Sequence, residues 1–378
     1  MKRLTSVILM MILFASIVGC SNKNINEDAA EFLEQTDGIE DTTNPTTVET
    51  SEVNENSGSD NAELGNITEE DKENEDNEEN DVSQTTIRIG IPEGMEVLSA
   101  LSLLRESEND DVEFEIIKRS KVFSANDLSD EYNVLILPTH TAAALYNRTT
   151  EFKLIGTSVW SSAHLVTNSD ITSWMEMKGE SISLMGQGQP TDIILRSLLV
   201  KNSLEPDQDI TLNYISDAKA LQSSVTKNTK LAVLSEPQLS TVLGRSQKVE
   251  VVYNLSEEWS AEIGGLYGVP QISVLVSDEL IENHPVLLDL ITRRMFESTH
   301  WYSEEAKEVV TFAESLNIGV NRNLIRRQLE TLDINFVPVG ENREMYDVYF
   351  NTLNDYSKRL IGGSVPDEGF YFIPPRRP

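Results

Sequence analysis

Residues 133–147 read NVLILPTHTAAALYN, and this stretch decides the fold class. Val134 to Leu137 form an apolar run without polar alternation, the pattern of a short strand covered on both faces. Thr139, His140 and Thr141 follow Pro138, and then Ala142, Ala143, Ala144 and Leu145 read as a short helix. A doubly covered strand feeding straight into a helix is the repeating unit of an α/β sheet. Its working loops lie beyond the strand C-terminal ends.

Outward from this unit the same grammar repeats. Upstream, TIRIGI (86–91) alternates as a strand, Val97, Leu98, Leu101 and Leu104 carry helical spacing, and VEFEII (112–117) alternates again. Downstream, FKLIGTSV (152–159) and SAHLVT (162–167) read as strands. After a polar break at 168–178 a second set begins. Strands are expected in ESISLM (180–185), DITLNYI (209–215), TKLAVL (229–234) and KVEVVYNL (248–255), with helices in TDIILRSLLVKNSL (191–204) and SDAKALQSSV (216–225) and a helix start at SEPQLSTVL (235–243). GGLYGVPQISVLVS (264–277) returns as a Gly-rich turn and an apolar strand, and the remainder is mainly helical at 285–298, 303–316, 323–332 and 343–360. Two βαβ sets joined by two crossings predict lobe one at 86–167 plus 266–378 and lobe two at 168–265, with the binding site in the cleft between them.

The N-terminus has a different character. MKRLTSVILMMILFASIVGC places Lys2 and Arg3 before a 12-residue apolar run, Val7 to Val18, too short to span a bilayer on its own. Ile17-Val18-Gly19-Cys20 resembles a bacterial lipobox, which implies cleavage of 1–19 and lipidation of Cys20, the chain's single cysteine. Two or more acyl chains anchor a protein stably. Residues 21–85 hold 21 carboxylates against Lys23 and Lys72, a net charge of −19, with Phe32 the one aromatic residue, so a disordered acidic spacer is expected from 20 to 85. The remaining 293 residues carry −16, which argues against nucleic acid as a partner.

NVLILPTHTAAALYN, KLAVLSEPQ, GVPQISVLVS and the terminal IGGSVPDEGFYF, together with the lipobox and acidic stalk, resemble the solute-binding lipoproteins of ABC importers. The group they resemble is the type II binding proteins related to nitrate, sulfonate and thiamine-pyrimidine binders. The resemblance implies an α/β, two-lobed type II periplasmic-binding-protein-like fold that closes on a small solute and delivers it to a membrane permease. It also implies a monomer lipid-anchored on the extracytoplasmic face, with no cofactor. A surface sensor or interaction lipoprotein on the same fold, and a secreted enzyme, are the alternative readings.

The chemistry favours binding over catalysis. GxSxG does not occur, and His140, His164, His284 and His300 form no HExxH, so the common nucleophile and zinc-protease arrangements lack support. GQGQPT (186–191) lacks the third glycine of a dinucleotide loop and the Lys of a P-loop; it offers a turn opening a helix with Pro190 at its first position. Residues at strand ends are expected to line the cleft: Pro92, Glu93, Thr139, His140, Trp160, Ser161, Gln187, Gln189, Thr191, Ser235 and Glu236. Thr139 and Ser235 serve equally as helix caps. Glu236, if it faces the cleft, favours a nitrogen-bearing solute such as an aminopyrimidine over a sulfonate or nitrate. Trp259 and Tyr267 flank the second crossing, where core packing competes with ligand contact, and Trp301 is expected in the core.

Overall fold

The computed structural model describes residues 85–92, 96–105, 112–119, 128, 131–160, 163–316 and 322–373, all within one compact unit from Glu79 to Pro378. Cys20 and the acidic segment before Thr85 lie outside the described residues.

The first sheet is built from β1 (Thr85–Pro92), β2 (Val112–Arg119), β3 (Val134–Pro138), β4 (Phe152–Val159), β10 (Ile272–Ser277) and β11 (Ile334–Pro338), in the order β11-β4-β10-β3-β1-β2. The second contains β5 (Ala163–Thr167), β6 (Ser181–Leu184), β7 (Thr211–Tyr214), β8 (Leu231–Ser235) and β9 (Glu250–Asn254), in the order β7-β6-β8-β5-β9. The helices on the first lobe are α1 (Glu96–Ser99) and α2 (Thr139–Thr149), then α7 (Asp278–Asn283), α8 (Pro285–Glu304), α9 (Ala306–Ser315), α10 (Arg322–Thr331) and α11 (Arg343–Ser357). The second lobe carries α3 (Pro190–Lys201), α4 (Ala218–Lys227), α5 (Gln238–Arg245) and α6 (Leu255–Ile263).

Strand direction reveals how the chain crosses. β1 is parallel to β2 and β3, but β10 runs antiparallel to β3 and β4; β6 is parallel to β7 and β8, but β5 runs antiparallel to β8 and β9. A chain that leaves one sheet at its C-terminal edge and enters the other sheet at the facing edge must run against its new neighbours. β5 and β10 are the entering strands. Ala163 opens β5 opposite Ser235 at the end of β8, and Ile272 opens β10 opposite Pro138 at the end of β3. The C-terminal ends of the parallel strands in both sheets therefore face the crossing.

Two expectations are corrected, and one unassigned stretch is filled. The strand at 163–167, expected in lobe one, pairs with β8 and β9 in the second sheet, so the first crossing falls between Val159 and Ala163. The helical tail contains a strand, β11, on the edge of the first sheet. The stretch after β9 holds α6, started by Asn254, whose side chain accepts from the Ser256 N–H at 3.0 Å.

The cores explain the layering. One cluster, with Ile89, Val274, Met295 and Trp301, fills the space between the first sheet and α8 to α10; another, with Val166, Leu234, Leu239 and Val242, lies between the second sheet and the α4–α5 layer. A third runs continuously through both lobes and includes Leu137, Trp160, Leu195, Trp259, Tyr346 and Tyr349. α11 is its bridge. Tyr349 meets Trp259 of α6 edge-on at 6.4 Å between centroids, and Tyr346 lies 6.2 Å from Trp160.

Candidate functional site

The crossing is held by a compact set of polar bonds. Trp160 follows β4, its N–H donating to the Asp333 carbonyl at 3.0 Å and its indole Nε1 to the Asn335 carbonyl at 2.8 Å. The Ser256 hydroxyl, at the start of α6, donates to the Trp160 carbonyl and accepts from the Val269 N–H at 2.6 Å. One hydroxyl thus ties both crossing segments together. Gly268 is required at this approach, because a Cβ there would collide with Ser256 Oγ and stand 3.0 Å from the Trp160 carbonyl. Tyr267 closes the cluster with its ring 5.2 Å from Trp160.

Beside it, Ala163, Pro190, Thr191, Ile194, Leu255, Ser256, Val269 and Gln271 line a small, partly open cavity. Its volume is ≈ 20 Å³, where about 10–15 Å³ admits one water-sized group, so it takes one or two. None of its lining residues carries a formal charge.

The expected site residues fare differently. Thr191 lines the cavity and is partly buried. Gln187 is exposed, and Gln189, the N-cap of α3, is partly buried and makes no side-chain cap bond. Ser235 and Pro92 are partly buried at the ends of β8 and β1. His140 stands in the first turn of α2, partly buried, and burial lowers its pKa to about 4, so it is uncharged near neutrality. Glu93 and Ser161 lie outside the described residues.

Thr139, Trp160 and Glu236 are corrected from cleft wall to internal roles. Thr139 is fully buried in a hydroxyl ladder, 2.8 Å from Ser273 Oγ, which lies 3.0 Å from Thr157 Oγ1, itself 2.6 Å from the Tyr346 hydroxyl. Trp160 is likewise fully buried. The Glu236 carboxylate accepts from Ser240 Oγ at 2.9 Å and from Thr331 Oγ1, which reaches it from α10 of the other lobe. Burial raises its pKa against the opposing effect of those two donors. With its oxygens engaged internally, Glu236 gives no ground for an amine-bearing solute.

Sequence reasoning missed the residues that matter most at the crossing: Ser256, Val269, Gln271 and, in the first turn of α3, Asp192. A signal for the first was present, since Asn254 and Glu257 stand at the spacing of a capping box and bond each other at 3.0 Å. Among the described residues no group of three or more His, Cys, Asp or Glu side chains is placed to hold a metal ion. No helix among them is long and apolar enough to cross a membrane.

Two lobes crossed twice, with parallel strand ends facing the crossing, define the two-lobed type II periplasmic-binding-protein-like fold. Solved structures share it. An ABC transporter structure from Parabacteroides distasonis is 21% identical over 78% of this chain and 100% of its own, with a TM-score of 0.63. The periplasmic aliphatic sulphonate binding protein SsuA from Escherichia coli is 14% identical over 78% of this chain and 94% of its own, with a TM-score of 0.58. The zinc-bound ligand-binding component of an ABC-type import system from Staphylococcus aureus is 11% identical over 77% and 97%, with a TM-score of 0.55. No protein-family model matches the chain, and no curated protein does.

Proposed function

We propose that this chain is the extracytoplasmic solute-binding component of an ABC importer, anchored by lipid at Cys20, which captures a small organic solute between its lobes and hands it to a membrane permease. The observation that carries this reading is the double crossing: strand C-terminal ends of two sheets converge on it, and a cavity lies between α3, α6 and the second crossing segment. Capture needs no chemical step, only a solute that binds the closed arrangement better than the open one. The fold shared with transport binding proteins supports it.

The test is a thermal-shift screen of the full chain against small solutes, with recovery of the bound molecule. A solute at 100 times its Kd adds about 2.7 kcal/mol of stability. A saturable shift with unchanged solute recovered is the expected result. A shift accompanied by product, or no shift from any solute together with a protein partner recovered by pull-down, overturns it. The anchor is checked separately: Cys20→Ser moves the protein out of the membrane fraction and leaves solute affinity unchanged.

A further inference from the structure

The first lobe grips the second on both faces of its sheet. Along β8, Leu231 and Val233 belong to the cluster shared by the lobes while Ala232 and Leu234 belong to the α4–α5 cluster, so the two layers lie on opposite faces. On one face the grip is α11, whose Tyr349 meets Trp259 and whose Tyr346 lies against Trp160. On the other it is α10, which packs along α5.

The two grips differ in chemistry. Parting α11 from its partners exposes buried ring surface to water. The α10–α5 seam is polar. Thr331 Oγ1 donates across it to the Glu236 carboxylate, which is 8% exposed and also accepts from Ser240 Oγ at 2.9 Å. One turn back along α10 the Arg327 guanidinium lies over Gly244, where an added Cβ would stand 3.2 Å from it. Carboxylate, hydroxyl and guanidinium all regain water when these helices separate, so the seam parts at a smaller cost than the rings.

Among the described residues no cation answers Glu236. Arg327 lies over Gly244, Arg245 of α5 reaches Gln222, and both His164 on β5 and Asp333 after α10 interact with Glu257 instead. Burial raises the Glu236 pKa above its ordinary 4.5, and the bonds from Thr331 and Ser240 lower it. Opening returns water and takes the pKa back toward 4.5, so the closed seam holds a proton that the open one gives up. The protonated carboxyl still bridges the lobes: its O–H donates to Thr331 Oγ1, whose own hydrogen turns to the Arg327 carbonyl 3.1 Å away.

We propose that the lobes part along the α10–α5 seam, pivoting on the crossing and α11, and that the Glu236–Thr331 pair is the latch that holds the seam shut. Closure then takes up a proton, and acid favours the closed form. This rests on the capture reading above, which needs lobes that open, and adds where they open. Double electron–electron resonance on the full chain without solute tests it. In a Cys20→Ser background, nitroxides go to two pairs of exposed positions: Arg326→Cys with Gln247→Cys across the seam, and Asp355→Cys with Ala261→Cys on the α11 side. Two separations are expected across the seam and one on the α11 side. The ratio of shorter to longer seam separations is expected to rise at least about three-fold from pH 8 to pH 5, and Glu236→Gln, neutral at both, abolishes the rise. Thr331→Val removes the donor from the other lobe, shifts the ratio toward the longer separation, and serves if Glu236→Gln misfolds.

A single seam separation at both pH values, or a second separation on the α11 side, overturns the seam as the opening face. No rise toward pH 5, a rise that survives Glu236→Gln, or a Thr331→Val chain as closed as its parent overturns the latch. Because the distances are read without solute, a saturable shift in the screen above keeps the receptor reading standing when the latch fails. Failure of that reading shows instead as silence across the whole screen.

Discussion

At the scale of single residues, the crossing depends on groups whose partners are fixed by burial. Ser256 is 4% exposed and serves both a carbonyl and an N–H, so Ser256→Ala leaves two buried backbone groups without their partner. Each such loss costs about 1–3 kcal/mol, and the expected outcome is a fall of at least about 2 kcal/mol in urea-unfolding free energy. An unchanged midpoint would show that water takes over both bonds. His140 gives a pH signature. Its folded pKa of about 4 lies below the ordinary value of 6.5, so as pH falls from 6.5 the unfolded chain takes up a proton that the folded chain refuses. Stability from this group is full above pH 6.5 and is lost progressively down to pH 4, by at most about 3 kcal/mol. Urea midpoints at pH 7 and pH 4.5 should lie further apart in the native chain than in His140→Asn, where burial of His164, which lowers its pKa as well, keeps part of the difference. The same residue scale shows what sequence makes legible. Spacing put Thr139, Trp160 and Glu236 at strand ends, where they are, but which way a side chain bonds depends on Ser273, Asn335 and Thr331, distant in sequence and invisible to local pattern.

At the scale of elements, periodicity found most strands and helices because each is a local pattern over several residues. Two strands show what it cannot reach. β11 is five residues on a sheet edge, and its identity comes from pairing with β4, which no local window contains. β5 was legible as a strand but not as a member of the second sheet, because sheet membership is set by β8 and β9, found 60 or more residues later in the chain. The β6–α3–β7 unit shows the energetic side of such distant pairing. Arg196, with its side chain 19% exposed, links Asp192 on its own helix to Asp207 and to Tyr214 of β7. Burial depresses the Arg196 pKa, but its bonds to Asp207 and Tyr214 outweigh that and raise it; burial also pushes the Tyr214 phenol up to about 12. Arg196→Met keeps much of the volume and leaves the Asp192 carboxylate without its counter-charge, held by the Gly188 N–H and the Tyr214 hydroxyl. Breaking a buried pair from one side costs about 3–5 kcal/mol, which thermal unfolding with calorimetry would register as a lowered Tm. Arg196→Lys should recover only part of it, because an ammonium cannot reproduce the planar fork that reaches three partners.

At the scale of the whole molecule, the question is whether the lobes are separable. Their sheets share no strand, which would allow two unfolding transitions, but one core cluster runs through both and α11 inserts Tyr346 and Tyr349 between them. A buried aromatic ring contributes several kcal/mol, a large share of the 5–15 kcal/mol that stabilises a typical domain. Each lobe has a cluster of its own, but unfolding either one strips the other of its share of the common cluster. The native chain should therefore unfold in one step. The four tryptophans provide the measurement, because Trp301 sits in the first lobe's own core, while Trp160, Trp174 and Trp259 belong to the cluster that spans both. Variants retaining Trp301 alone or Trp259 alone, the others replaced by Phe, should give coincident fluorescence midpoints in urea, and these should match far-UV circular dichroism. Tyr349→Ala then removes the ring that meets Trp259, at a cost of about 3–5 kcal/mol. Because that cost falls on the bridge and not on either sheet, the Trp259 midpoint should drop below the Trp301 midpoint in this variant. Separate midpoints in the parent chain, or equal ones after the substitution, would place the coupling elsewhere than α11.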